Sequence, residues 1–162
     1  MGERLMKLEG PVLAVRDLQA SLVFYQTVLG LEIIRGFGDS VELEGGLSLQ
    51  TLDSWAGSLG RAPQDIRFDG GDSELYFVTE DFDQFLRTLG DMPEAGLVHP
   101  PLEHRWGQRT ARLYDPDGHI LEIAESLSKV CKRFRDSGLD EAGIARRMDV
   151  PVEFVRRQLR RA

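Results

Sequence analysis

The strongest constraint on this chain is an order of elements that occurs twice. Val12–Val15 is a short apolar run that reads as a strand. Asp17 then offers a carboxylate to the free amides of a helix whose Leu18, Leu22, Tyr25 and Leu29 fall at helical spacing and which stops at Gly30. Leu31–Arg35, Ser40–Leu43 and Leu47–Leu52 read as three more strands, parted by glycine-bearing turns. After residues 53–72, a glycine-rich connector with room for a short helical turn, the order begins again. Leu75–Val78 is a strand, Glu80-Asp81 caps, and Phe82, Phe85, Leu86 and Leu89 form a helical stripe ending at Gly90. Leu97-Val98, Gln108–Tyr114 and His119–Ala124 follow as strands. Two βαβββ modules in tandem, at about 8–52 and 73–125, are therefore expected, although residue identity between them is weak.

The clearest local signal is the pair of strands closing the second module. Asp115-Pro116-Asp117-Gly118 is a turn, because Pro presets one dihedral and Gly takes positive φ. Alternation then puts Ala111, Leu113, Leu121 and Ile123 on one face. Thr110, Arg112, Tyr114, Ile120, Glu122 and Ala124 fall on the other, so a carboxylate and an arginine share a mid-sheet surface.

From Ser126 the pattern becomes purely helical. Leu127, Val130, Cys131 and Phe134 make one stripe, and two further helices are expected at Asp140–Met148 and Pro151–Arg161, joined as in a helix-turn-helix. Charge divides at the same point: residues 1–125 carry 22 acidic and 10 basic side chains, residues 126–162 carry 5 and 10. The expected fold is α+β, with a domain over 1–125 and a helical tail over 126–162. No run of about 18 apolar residues appears, so no membrane partner is expected. The single cysteine, Cys131, excludes an internal disulfide, and the start MGERLMKLEG has no secretory apolar segment. A cytoplasmic location is the expectation. The acidic body can simply hold the basic tail, and an acidic partner such as nucleic acid is the alternative.

VRDLQASLVFYQTVLGLEII at the start of the first module and LYDPDGHILEI at the end of the second resemble the glyoxalase/bleomycin-resistance/dioxygenase superfamily, also called vicinal oxygen chelate, over about residues 8–125. The resemblance implies that each module curls into a half-barrel, that two enclose a cleft, and that enzymatic members hold a divalent metal there (Mg, Mn, Ni or Zn). By that resemblance Glu122 matches the closing carboxylate ligand, Gln50 stands where glyoxalase-type members carry glutamate, and Glu74 stands where histidine is frequent. Gly10 occupies the fourth place and has no side chain, with Glu9 beside it. The metal set is therefore at most Gln50, Glu74 and Glu122, an oxygen-only set that suits a hard ion, and loss of the metal is the expected reading, with Arg112 neutralising one carboxylate.

The segment His99-Pro-Pro-Leu-Glu-His104-Arg-Trp-Gly-Gln-Arg109 supplies further ligand candidates in His104, Trp106 and Arg109, and its prolines predict a loop. His99 reads as an exposed loop residue and His119 as closing the turn. Arg112, Tyr76 and Trp55 complete the expected ligand-binding set, with His104 and Glu122 as catalytic candidates. The leading expectation is a protein that binds a small, cationic or aromatic molecule in an acidic cleft, its metal site degenerate or absent. The alternatives are a metal-dependent lyase, isomerase or thiol transferase of the glyoxalase type, and a ligand-responsive regulator reading DNA through the tail. Nucleic acid is not the expected partner, because Val152 and Phe154 stand where base-reading polar residues are wanted. A homodimer is expected from the resemblance.

Overall fold

The computed structural model describes residues 6–93 and 95–162. The first residues of the MGERLMKLEG start lie outside them. The chain forms two compact units, one of residues up to Gly70 with Asp115–Gly118, the other of Gly71–Tyr114 with His119–Ala162.

In the first unit β1 (Val12–Val15), β2 (Ile33–Gly36), β3 (Ser40–Leu43) and β4 (Ser48–Thr51) form a sheet of order β1-β4-β3-β2. β1 runs parallel to β4 and the other pairs are antiparallel. Between β1 and β2 runs α1 (Leu18–Leu29), and its ends form as the sequence predicts. The Asp17 carboxylate accepts the Ala20 amide at 2.9 Å, and Gly30 takes a left-handed φ of 67° that lets its amide donate back to Gln26. Leu22, Tyr25 and Val28 are buried along one side of the helix. The connector holds more regular structure than a single helical turn, since α2 spans Leu52–Ser58 and buries Ala56.

The Asp115–Gly118 turn does more than reverse the chain. Both aspartates are buried. The Tyr25 hydroxyl donates to Asp115 at 2.9 Å, and the Arg16 amide and guanidinium both donate to Asp117. Gly118 supplies the positive φ, at 90°.

The second unit repeats the topology. β5 (Leu75–Thr79), β6 (Leu97–Glu103), β7 (Arg109–Tyr114) and β8 (Ile120–Glu125) lie in the order β5-β8-β7-β6, again with the first and last strands parallel. α3 (Phe82–Gly90) is capped by Asp81 and buries Phe82, Phe85 and Leu89. β6 corrects the loop expected from Pro100 and Pro101. It is an edge strand whose pairing to β7 shifts register on either side of His99, and an edge can spare the amides that proline lacks. Ala111, Leu113, Leu121 and Ile123 are buried on one face of this sheet. Each of the larger three contributes about 1.5–3 kcal/mol on burial.

α4 (Leu127–Asp136), α5 (Glu141–Met148) and α6 (Val152–Leu159) follow. They share a core of Val130, Cys131, Phe134, Ile144, Ala145, Met148 and Val155. Among the described residues no helix is long and apolar enough to cross a membrane.

Candidate functional site

Strand register decides what meets on the polar face of the second sheet. Arg112 pairs with Glu122 across β7 and β8, Tyr76 pairs with Glu122 across β5 and β8, and His99 pairs with Arg112 across β6 and β7. Glu74 lies two residues before Tyr76 and reaches the same surface. The Arg112 guanidinium donates twice to Glu74, from Nε at 2.7 Å and from Nη2 at 3.3 Å, and once from Nη2 to Glu122. Of the three side chains Glu122 is the most enclosed, at 8% exposure against 34% for Glu74.

This placement separates the two carboxyls in acidity. Hydrogen bonds from Arg112 hold Glu74 below the usual carboxylate range. Burial, then the neighbouring Glu74, push Glu122 up, and Arg112 only partly opposes them. The pair therefore shares its protons unequally, with Glu122 the better holder.

Beside this triad the His104 ring stacks on Trp106, with centroids 4.3 Å apart and planes within 3°. His104 Nε2 stands 3.1 Å from the Thr110 hydroxyl. Burial first, and then the positive charge of Arg112, lower the His104 pKa and favour its neutral ring. The Trp106 indole donates to Gln108, whose amide donates to the Tyr76 hydroxyl and to the Glu125 carbonyl. His99 turns its Nδ1 to the Pro100 carbonyl. The six candidates Glu74, Tyr76, His104, Trp106, Arg112 and Glu122 thus belong to one constellation.

Arg109 does not join it. Parity puts its side chain with Ala111 and Leu113, where it lies over the Phe82 ring and pairs with Glu125 and Asp83. It lines a separate hollow of about 260 Å³ with Lys129, Lys132 and Arg133. Glu125, which the sequence reading passed over, is the buried anchor there: both Arg109 and Arg133 donate to it. Its signal was a glutamate on the apolar parity of β8.

Trp55 and Gln50 belong to the first unit, on α2 and β4. The Gln50 amide nitrogen donates to the Ser54 hydroxyl at 2.8 Å. Gln50 pairs with Ala14, whereas Tyr76 and Val12 each stand five residues before a helix-capping aspartate. The first-sheet counterpart of the Tyr76–Glu122 rung is therefore Val12–Ser48, and Gln50 is offset from it by two residues.

The donor set does not fit a divalent ion. Among the described residues no group of three or more His, Cys, Asp or Glu is placed to hold one. Glu74 and Glu122 already clasp a cation in Arg112. Gly10 cannot be replaced by a ligand without rearrangement, since a Cβ there would meet the Gly46 carbonyl oxygen at 1.9 Å.

Repeated βαβββ topology and the strand-borne polar face define a glyoxalase-like protein, and the match to the Glyoxalase-like domain family over residues 8–128 shows that the chain belongs to that family. A solved structure of a protein of unknown function from Agrobacterium tumefaciens str. C58 is 34% identical, with a TM-score of 0.69 over 76% of this chain and 97% of that one. A glyoxalase-related enzyme from Fulvimarina pelagi is 22% identical, with a TM-score of 0.63 over 76% and 91%. A lactoylglutathione lyase from Agrobacterium tumefaciens is likewise 22% identical, with a TM-score of 0.57 over 75% and 94%. The last two are likenesses of fold. Among curated proteins there is no significant match.

Proposed function

We propose that the protein binds a small organic molecule on the polar face of β5–β8 without a resident metal. The observation that carries this reading is the Arg112 guanidinium clasped by Glu74 and Glu122, two of the three side chains that the family resemblance would give to the ion. The stacked His104–Trp106 pair and the half-exposed Tyr76 ring offer flat surfaces to an aromatic or cationic group. The Glu74 oxygens, a third exposed, accept hydrogen bonds from its polar end.

A second reading, an enzyme, draws on the unequal acidities of the carboxyl pair. Glu122 would hold a proton and Glu74 would accept one, which is an arrangement able to move a proton on a bound substrate. The family resemblance also supports a homodimer, which sedimentation would test.

Ligand screening by quenching of tryptophan fluorescence tests the first reading, in protein purified without chelator and again after exhaustive chelation. The expected result is a ligand whose affinity is unchanged by chelation and, measured by titration calorimetry, falls at least tenfold in W106A. Near-stoichiometric retained metal, with binding lost on chelation, would overturn it.

A further inference from the structure

Helices α4–α6 form a unit with its own apolar core, and its outer surface has no part in the ligand face described above. α5 ends at Met148, Asp149 takes the left-handed conformation with φ of 59°, and after Val150 and Pro151 the chain enters α6. Three residues thus turn the chain between two eight-residue helices, as in a helix-turn-helix. α6 rests on both α4 and α5. Arg156 of α6 donates to Glu141 of α5 at 2.7 Å and fixes one helix on the other.

The sequence objection to DNA binding was Val152 and Phe154 at the start of α6. In the structure these two pack against the tail core with Leu159, while Val155 is fully buried. They are not on the outward surface. That surface carries Glu153, Arg157 and Arg160, spaced four and three residues apart along one side, with Arg161 beyond them.

Pairing distinguishes the arginines. Arg133 and Arg147 meet Glu103, and Arg156 meets Glu141 and Glu153. Arg146, Arg157, Arg160 and Arg161 have no ion pair among the described residues. Four exposed cations without counter-charge therefore lie on or next to α6, in a tail with a net charge of +5 attached to a body of −12. Folding leaves this charge unspent although carboxylates are abundant elsewhere in the chain.

We propose that the α5–α6 pair binds duplex DNA through its phosphates, with Arg157, Arg160 and Arg161 as the principal contacts. The side presented has arginines but no Asn or Gln at the start of the helix, so the binding is sequence-tolerant. Three phosphates neutralised give a slope of log K against log salt of about −2.7, so affinity falls about 40-fold between 50 and 200 mM salt.

The test is fluorescence anisotropy of a labelled 24-base-pair duplex of mixed sequence, titrated with the full chain at 50, 100 and 200 mM salt. Micromolar binding at 50 mM is expected, with that salt slope. R157A/R160A/R161A should weaken it at least tenfold and flatten the slope by 2 or more, while its melting temperature stays within a few degrees of wild type because all three side chains are exposed. R61A/R67A, which removes two exposed arginines of the first unit, should leave binding unchanged. No anisotropy change at 100 µM protein would overturn the proposal. So would equal loss in R61A/R67A, competition by polyglutamate as effective as by unlabelled duplex, or a sedimentation shift in the triple variant showing that the arginines meet a second copy. None of these outcomes bears on the ligand reading, whose test uses Trp106.

Discussion

Replacing Arg112 by methionine isolates what the clasp contributes, because methionine keeps most of the aliphatic stem and removes the charge. Wild-type Arg112 makes three hydrogen bonds to two carboxylates. A hydrogen bond to a charged group is worth about 1.5–3 kcal/mol net when enclosed. Glu74 is a third exposed and regains water, so its two bonds are discounted heavily. Glu122 at 8% exposure cannot do so, and it would be left beside Glu74 with no cation. The expected loss at pH 8 is about 2–3 kcal/mol, a fall in melting temperature of roughly 4–10 °C. pH separates charge from packing. Glu74, whose pKa is lowered in the fold, contributes stability above its ordinary pKa and loses it as pH falls through the lowered value. Glu122, whose pKa is raised, contributes below its ordinary pKa and loses that as pH rises through the raised value. Without Arg112 only raising influences act on Glu122, so in the variant Glu122 takes up a proton in acid and escapes most of the penalty. The gap between wild type and R112M, read by thermal melts, should narrow to under about 1 kcal/mol at pH 4.5. An equal gap at pH 4.5 and pH 8 would refute the electrostatic account and leave Arg112 as packing alone.

Two further substitutions probe the scaffold, one in each unit. E125Q removes the buried anion to which Arg109 and Arg133 both donate, and it should cost about 2–3 kcal/mol by chemical denaturation, with little effect on the ligand face because Glu125 has the opposite parity. G10H places an imidazole where the family resemblance has a ligand, and it should lower the melting temperature and still yield metal-free protein by elemental analysis, since even the Cβ collides with the Gly46 carbonyl.

Much of the architecture was legible because it is written in local chemistry. Asp17 and Asp81 cap the helices they were expected to cap, and Gly30 and Gly118 take the positive φ that their positions require. Alternation sorted β7 and β8 correctly from Ala111 to Ile123. What was not legible shares a cause, which is that tertiary position overrides local preference. Pro100 and Pro101 break a central strand but not an edge, and no local feature of His99–Arg109 says which it is. Arg109 sits in a polar-looking segment, yet parity sends it to a buried glutamate on the far side. Gln50 matches by its distance from Trp55, but the ladder places it two residues away from the counterpart of Glu122.

Whether two strand carboxylates hold a metal ion or a guanidinium is in the end a question of register. The Tyr114–Ile120 rung closes the turn, and counting inward from it puts Arg112 opposite Glu122. A slip of one residue would send Arg112 to the face of Leu121 and Ile123 and leave the carboxylates without their cation. The turn is held against such a slip by its own buried groups: Asp115 accepts the Asp117 amide and the Tyr25 hydroxyl, and Asp117 accepts the Arg16 amide. The DPDG signature therefore sets the chemistry of a surface it does not touch. On the metal-free reading proposed above, the residue at position 112 therefore decides whether Glu74 and Glu122 face a guanidinium or stand without a cation.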